Sequence, residues 1–499
     1  MYHHSDLRRF YYCPRLFWCS NREEPEAFRR YVRMDRPISD CLIDKLDIKN
    51  AFTATRGIDV SVVLDAMKNH DWILKGRFEA DGLRVKIPAI HKVAAGWDVY
   101  FTYMGILPKA DDVRFYANHC WVLTRLGIHI NEIYVVHFNS SYVRGDKLDV
   151  NACLSVSATF YKPNGKAHVN ITQKVKERLH DLKPALHSMC EVDSWDDFPI
   201  TLKECPYTVR CDHYEKCFHA EETLLDASVV FLSQSSRRQE MIEKGILRMS
   251  DIPLDMIEGS RVQFAQIMAD KLGGLFADRF ALKHWLELTQ AGPVSFLDFE
   301  WDTFALPPYT GMRPFDVLPF QYSLHILENN ELKHLEFLGT QDSRTGFVET
   351  LLKDLPATGT IYAYNAMGAE AIRLRELARQ FPQYAAQLEA IIDRMRDMAV
   401  PFIGGLVYDL KMRGNFSLKK IIPAINPDLS YSRLSIQHGM EAVYQYREME
   451  DSEDDDDGQS KKELLEYCSM DTYAMVEVYR WLTMLVGQKH FQKLTDKVQ

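Results

Sequence analysis

The stretch Val294-Ser295-Phe296-Leu297-Asp298-Phe299-Glu300 constrains this chain most, because an apolar run ending in carboxylates at i and i+2 has few places to go. Side chains alternate along a strand, so a buried strand here delivers Asp298 and Glu300 to one face. Acids gathered there call for a cation. Near the C-terminus, Leu464, Leu465, Cys468, Ala474, Met475 and Val478 make an amphipathic pattern in which Tyr467 and Asp471 stand four apart on one helical face. The first motif is expected to close an apolar strand and the second to open a helix, with a domain-sized interval of mixed pattern between them. Carboxylates that share two divalent ions about 3.5 to 4 Å apart can activate a water and stabilise the leaving oxygen in phosphodiester hydrolysis. Mg²⁺ or Mn²⁺ suits such an oxygen-rich site.

Within the interval, Gly359-Thr360-Ile361-Tyr362-Ala363-Tyr364-Asn365 reads as a β-branched and aromatic strand. A helical stretch follows from about Ala369 to Phe381, with Ile372, Leu374, Leu377 and Ala378. In this order the motifs resemble the DEDD exonucleases of the ribonuclease H-like fold, in the subtype whose third motif is Tyr-x-x-x-Asp. The resemblance implies 3′-to-5′ removal of nucleotides from DNA or RNA, acting on a single-stranded 3′ end. It implies that Asp298, Glu300 and Asp471 hold the metal pair and that Tyr467 orients the attacking water, with help in deprotonating that water a second role open to it. It also places the second-motif acid in the first turn of the helix after a strand ending near Tyr-Asn, which is Glu370. In that family the acid is more often Asp and often follows Phe, whereas Met367-Gly368-Ala369 precede Glu370 here. A glutamate at this position also complements the positive end of a helix dipole.

A longer ordered series resembles a bacterial family that fuses a RecB-like module to a DEDD exonuclease. It runs through Leu297-Asp298-Phe299-Glu300, Arg313-Pro314-Phe315, Pro319 to His325, Arg394-Met395-Arg396-Asp397, Gly414 to Lys419, Leu429 to Leu434, and Tyr467 to Thr472. Within it, Lys419 and Arg313 are candidates to contact phosphates, since cationic groups supply most nucleic-acid affinity; surface or structural roles stand equally open. Asp397 is either a further acid near the site or, in the preferred reading, a turn cap.

In the first half, Cys205, Cys211 and Cys217 are spaced with five residues between neighbours in a Pro- and aromatic-containing segment. Four thiolates suit either iron-sulfur or zinc, and Cys13 is the candidate fourth. Its context, Tyr11-Tyr12-Cys13-Pro14-Arg15-Leu16-Phe17-Trp18, resembles the N-terminal motif of RecB/AddB-type nucleases, in which one early and three late cysteines bind a [4Fe-4S] cluster. That resemblance favours the cluster, with a four-cysteine zinc site as rival and unligated buried thiols as a third reading. Cys19, Cys41, Cys120, Cys153, Cys190 and Cys468 are scattered and take no ligand role.

Active RecB-type modules carry an Asp on one core strand, Glu-x-Lys on the next and a Gln on the following helix. Here these positions fall on Lys86, on Phe101 and Tyr103, and on His119, in the helix expected from Asp112 to Leu126. Replacing acidic ligands by a cation and an aromatic removes the charge that would hold a divalent ion. The module is therefore expected to be catalytically dead, with Asp98 the nearest acid. Its remaining roles are architecture or binding, the latter through Arg8, Arg9, Arg15, Arg29, Arg30 and Arg33, which read equally well as a solvated helical face.

The fold class expected is α/β. Residues 1–222 form a restriction-endonuclease-like (RecB-type) module, 223–290 a helical connector, and 291–490 a ribonuclease H-like DEDD domain with an acidic flexible loop at 449–459. The connector also contains Glu243-Lys244-Gly245-Ile246 before Asp251-Ile252-Pro253, which is similar to a small helix-hairpin-helix. At 499 residues the chain is long enough for such an arrangement. Its net charge of −10 argues against a protein that coats nucleic acid nonspecifically, though an acidic enzyme can still focus positive charge in one groove. No apolar run reaches about 18 residues, and the N-terminus lacks the sections of a signal peptide, so a cytoplasmic protein is expected. A reducing compartment would keep the cysteines available for a cluster. The competing class is a non-catalytic nucleic-acid-binding or scaffold protein with a structural four-cysteine metal site.

Overall fold

The structure is a computed structural model that describes residues 1–20, 22, 31–34, 36–194, 213, 217, 225–451 and 458–487. Two units are distinguishable: Met1–Ile200 with Thr303–Asp316, and Thr201–Asp302 with Val317–Gln499. Both are mixed α/β.

The first unit is built on strands β1 (Tyr2–His3), β2 (Val32–Arg33), β3 (Ala51–Thr53), β4 (Trp72–Ala80), β5 (Leu83–Val93), β6 (Gly96–Thr102), β7 (Ile130–Phe138) and β8 (Leu154–Ser157). Seven of them form one sheet in the order β3-β4-β5-β6-β7-β8, with β1 parallel to β5. Asp81 and Gly82 join β4 to β5 with φ of 49° and 84°. This is the left-handed pair that a two-residue type I′ hairpin requires, and it fixes the register Ala80↔Leu83. The helix Val113–Arg125 buries Tyr116, Ala117, Cys120 and Val122 in the same core as Val85, Ile87, Val99 and Phe101. It lies one residue inside each end of the span expected from sequence. Residues 303–316, which the sequence reading places in the C-terminal domain, group here for visible reasons. Thr303 and Phe304 pair with β2, Arg144 donates to the Pro307 carbonyl at 2.7 Å, and the Phe315 ring lies 5.0 Å from Phe138.

Short strands β9 (Thr159–Tyr161) and β10 (Ala167–Asn170) pair in the first unit; β11 (Leu275–Ala277) belongs to the second. The second unit's main sheet contains β12 (Val294–Phe304), β13 (Val317–Glu328), β14 (Glu331–Leu338), β15 (Thr360–Ala363) and β16 (Met395–Asp397), in the order β14-β13-β12-β15-β16. A last strand, β17 (Val407–Asp409), pairs with β11. Asn329 and Asn330, with φ of 49° and 66°, make the β13–β14 hairpin turn. β12, β15 and β16 run parallel.

Helices cover both faces of this sheet, as a parallel core requires. Leu297, Phe299, Tyr322 and Ile361 pack with helices Arg344–Asp354, Glu370–Gln380 and Ala385–Arg394. Phe296, Phe320 and Tyr362 pack with helices Leu418–Ile425, Gly439–Asp451 and Gln459–Leu485. Within the span read from sequence as a helical connector, the structure has helices Arg261–Lys271 and Arg279–Glu287. Met449, Glu450 and Asp451, read from sequence as the start of an acidic loop, instead finish a helix; residues 452–457 lie outside the described residues. No described helix is long and apolar enough to cross a membrane.

Candidate metal centre

The even-numbered side chains of β12 bring Phe296, Asp298 and Glu300 to the face covered by the helix Gln459–Leu485. β15 pairs with β12 only along Val294–Phe296, so the acids emerge just beyond the end of the neighbouring strand. Crevices at the carboxyl ends of parallel strands are where open α/β sheets bind ligands. Both motif-bearing elements run further than the sequence reading placed them. β12 continues four residues past Glu300, and the helix starts eight residues before Tyr467.

The helix is locked in register by buried polar contacts. Gln321 Nε2 donates to the Leu464 carbonyl at 2.8 Å, and the Thr472 hydroxyl bonds Ser323 Oγ at 2.7 Å and His325 Nδ1 at 2.8 Å. Tyr467, Cys468 and Asp471 are thereby held against β12. Ligand oxygens of Asp298, Glu300 and Asp471 all lie within 4.8 Å of one another, a grouping that could hold a divalent metal.

The partners of these groups are specific. Tyr431 donates its hydroxyl proton to Asp471 Oδ1 at 2.6 Å. The Cys468 thiol lies 3.7 Å from Asp298 Oδ2 and 3.8 Å from the Asp298 carbonyl. Lys419 Nζ donates to the Tyr467 hydroxyl at 3.0 Å, stands 4.8 Å from the centre of that ring, and also donates to the Gln437 carbonyl.

Electrostatically the site is under-compensated. Burial pushes the Asp298 and Glu300 carboxyls well above the usual range, and the charge of Asp471 adds to both. Asp471 is raised by burial against the opposing pull of Tyr431 and Lys419. Burial and the surrounding acids raise Tyr467 and Cys468 far above their ordinary values as well.

Glu370 opens its helix and is 2% exposed, with Oε2 lacking a hydrogen-bond partner. Burial, reinforced by Asp397, pushes its carboxyl up to about 8. It stands outside the close group of three, yet its charge raises Asp298 and Glu300. Asp397 ends β16 and accepts the backbone N–H groups of Asn365 and Ala399, each at 2.9 Å, as a turn cap does.

The first unit differs. Phe101 is buried against the rings of Phe115, Tyr116 and His119, at centroid separations of 6.0, 4.9 and 5.7 Å. His119 is hydrogen-bonded through Nδ1 to the Phe115 carbonyl at 2.7 Å, and burial pushes it down to about 3. Asp98 accepts from Asn131 and from the Glu132 backbone. Lys86 is exposed on β5. Among the described residues, no metal-ligand grouping occurs in this unit. Cys13 in this unit and Cys217 in the second are free thiols of intermediate exposure, whereas Cys205 and Cys211 lie outside the described residues, as do Arg29 and Arg30. Arg9 pairs with Asp6, and Arg15 is buried.

Tyr431, Cys468 and Gly439 border the centre without having been assigned a role from sequence. Cys468 follows Tyr467 directly, and its neighbourhood was the available signal. Tyr431 comes from a short turn with no periodicity to read.

Residues 295–417 match a family model described as a domain of unknown function, DUF2779. Asp298, Glu300, Glu370 and Asp397 fall inside that span; Lys419, Tyr431, Tyr467 and Asp471 fall beyond it. No curated protein matches the chain. Among solved structures, the chain is similar to the family B DNA polymerase from the hyperthermophilic archaeon Pyrobaculum calidifontis, with 13% identity and a TM-score of 0.24. The match covers 39% of this chain and 25% of the polymerase, so the chain spans about a quarter of that protein's length.

Proposed function

We propose that the chain is a metal-dependent 3′-to-5′ exonuclease of DNA or RNA. In this reading the second unit is a ribonuclease H-like DEDD domain, and the first is a RecB-like module without its nuclease ligands. The observation that carries the proposal is the convergence of Asp298, Glu300 and Asp471 from a strand and a helix far apart in sequence. The donor set fits Mg²⁺ or Mn²⁺: all ligands are oxygens, they repel one another, and Lys419 is the cation acting on Glu300 and Asp471. Bound divalent ions supply the charge that activates a water and stabilises the leaving oxygen.

Asp298, Glu300 and Asp471 would hold the ions, and Glu370 would support them directly or through water. Tyr467 keeps its proton, because burial and the neighbouring acids disfavour the phenolate. Held by Lys419, its hydroxyl serves to orient the water for in-line attack rather than to deprotonate it. Oriented groups of this kind lower the barrier by removing the freedom of the reactants. The remaining donor of Lys419 suits a phosphate oxygen.

Strands of DNA and RNA labelled at the 5′ end, single and double, provide the test. The expected result is a Mn²⁺-dependent ladder from at least one of them, lost in Asp298→Asn. Binding without shortening would instead favour the non-catalytic nucleic-acid-binding or scaffold reading.

From the cysteine spacing and the resemblance of the Cys13 segment we further propose a [4Fe-4S] cluster on Cys13, Cys205, Cys211 and Cys217. Anaerobically purified protein should be brown and contain iron and sulfide, and Cys13→Ser should lose both. Stoichiometric zinc in colourless protein would establish the rival site.

A further inference from the structure

We infer that Gly439 is a substrate-admitting residue whose missing side chain leaves the space through which the terminal nucleotide reaches Glu300 and Tyr467, an inference that rests on the nuclease reading above. Gly439 opens the helix Gly439–Asp451. Its position is fixed by Glu441, whose Oε2 accepts the backbone N–H groups of Gln437 at 2.6 Å and His438 at 3.1 Å. A Cβ added to Gly439 would have as its three nearest atoms Glu300 Oε2 at 3.7 Å, Glu300 Oε1 at 3.8 Å and the Tyr467 hydroxyl oxygen at 3.8 Å. A side chain here would therefore point into the metal centre.

The fold itself gives no reason for glycine at this position. Gly405 and Gly414 have left-handed φ of 66°, and a methyl group on either would meet a backbone oxygen at 2.6 and 2.2 Å respectively, so both need glycine to fold. Gly439 has no such φ, and its separations are ordinary van der Waals contacts. Helix propensity also favours alanine over glycine. What glycine provides is clearance in front of a carboxylate and a phenol. In the proposed reaction the terminal phosphodiester and the attacking water must both fit there.

The test uses the full chain as wild type, Gly439→Ala, Gly439→Val and Asp298→Asn. Thermal melting, Mn²⁺ affinity by calorimetry, and kcat and KM on a labelled oligonucleotide are measured for each. Both glycine variants should melt no lower than wild type and bind Mn²⁺ unchanged. Their kcat/KM should fall about 10-fold for alanine and 100-fold or more for valine, mainly through KM, as misplacement of the substrate predicts. Wild-type kinetics in Gly439→Val, or a loss that follows weakened Mn²⁺ binding or lowered melting, would overturn this inference while leaving an active wild type and an inactive Asp298→Asn to uphold the nuclease reading. A wild type that shortens no strand would instead remove that reading, and this inference with it.

Discussion

The candidate metal centre of the second unit and the aromatic cluster around Phe101 and His119 in the first are both buried sites where a helix packs over a mixed sheet, and both hold titratable groups far from their ordinary behaviour. Their causes differ. His119 is pushed down by burial, is satisfied by the Phe115 carbonyl, and is surrounded by rings. Asp298 and Glu300 are pushed up by burial and again by one another's neighbours, with Glu370 adding its own unpartnered oxygen. Burial alone therefore does not mark chemistry. Like charges converging without enough counter-charge do, because such a cluster is unstable until a cation or protons neutralise it.

The sharpest way to break this contrast is Asp298→Asn. Activity with Mn²⁺ should fall on the order of 10³-fold or more, reflecting the several kcal/mol that metal-ion charge supplies. Without metal the same variant should melt higher than wild type, because a repelling charge has been removed. A variant that kept its activity would reduce the acid cluster to a structural feature. Tyr467→Phe should retain Mn²⁺ affinity and lose roughly 10²-fold in kcat through misplacement of the attacking water, as measured by single-turnover release of mononucleotides. Tyr431→Phe removes the 2.6 Å donor to Asp471 and should weaken Mn²⁺ binding by about 10-fold, read by calorimetry.

Stability against pH is the last test, and in it the two sites should show slopes of opposite sign. His119 ordinarily titrates at 6.5 but is held down to about 3 in the folded protein, so between these values the unfolded chain binds more protons. Stability then falls as pH drops through that window. Glu370 is raised from 4.5 to about 8, so there the folded protein binds more protons and metal-free stability falls as pH rises from 4.5 to 8. Differential scanning calorimetry in chelator should show both limbs. His119→Gln should flatten the acid limb and leave the alkaline limb unchanged, with shifts of roughly 2–4 °C for each kcal/mol.

Much of the second unit was legible because its periodicities are strong. The alternation from Val294 to Glu300 identifies β12 and the shared face of its acids, and the apolar spacing from Leu464 to Val478 identifies the helix that carries Tyr467 and Asp471. Element ends were less legible: Trp301 to Phe304 continue the strand after the charges, and polar Gln459 to Glu463 begin the helix. Tyr431, Lys419 and Gly439 reach the centre from turns and short helices, where no repeat reveals which side chain turns inward. The position of Cys468 was equally hidden, since a thiol in an amphipathic pattern looks like any small apolar residue until its distance to Asp298 is known.

Thr472 bonds Ser323 and His325 from the residue next to Asp471, so the contacts that dock the helix Gln459–Leu485 also aim its carboxylate. During synthesis, a nascent chain that has released Asp298 and Glu300 from the ribosome still lacks Asp471 until that helix emerges. The centre cannot be assembled halfway: a truncated translation product carries the strand's two acids without their third companion, and lacks the grouping that could hold an ion.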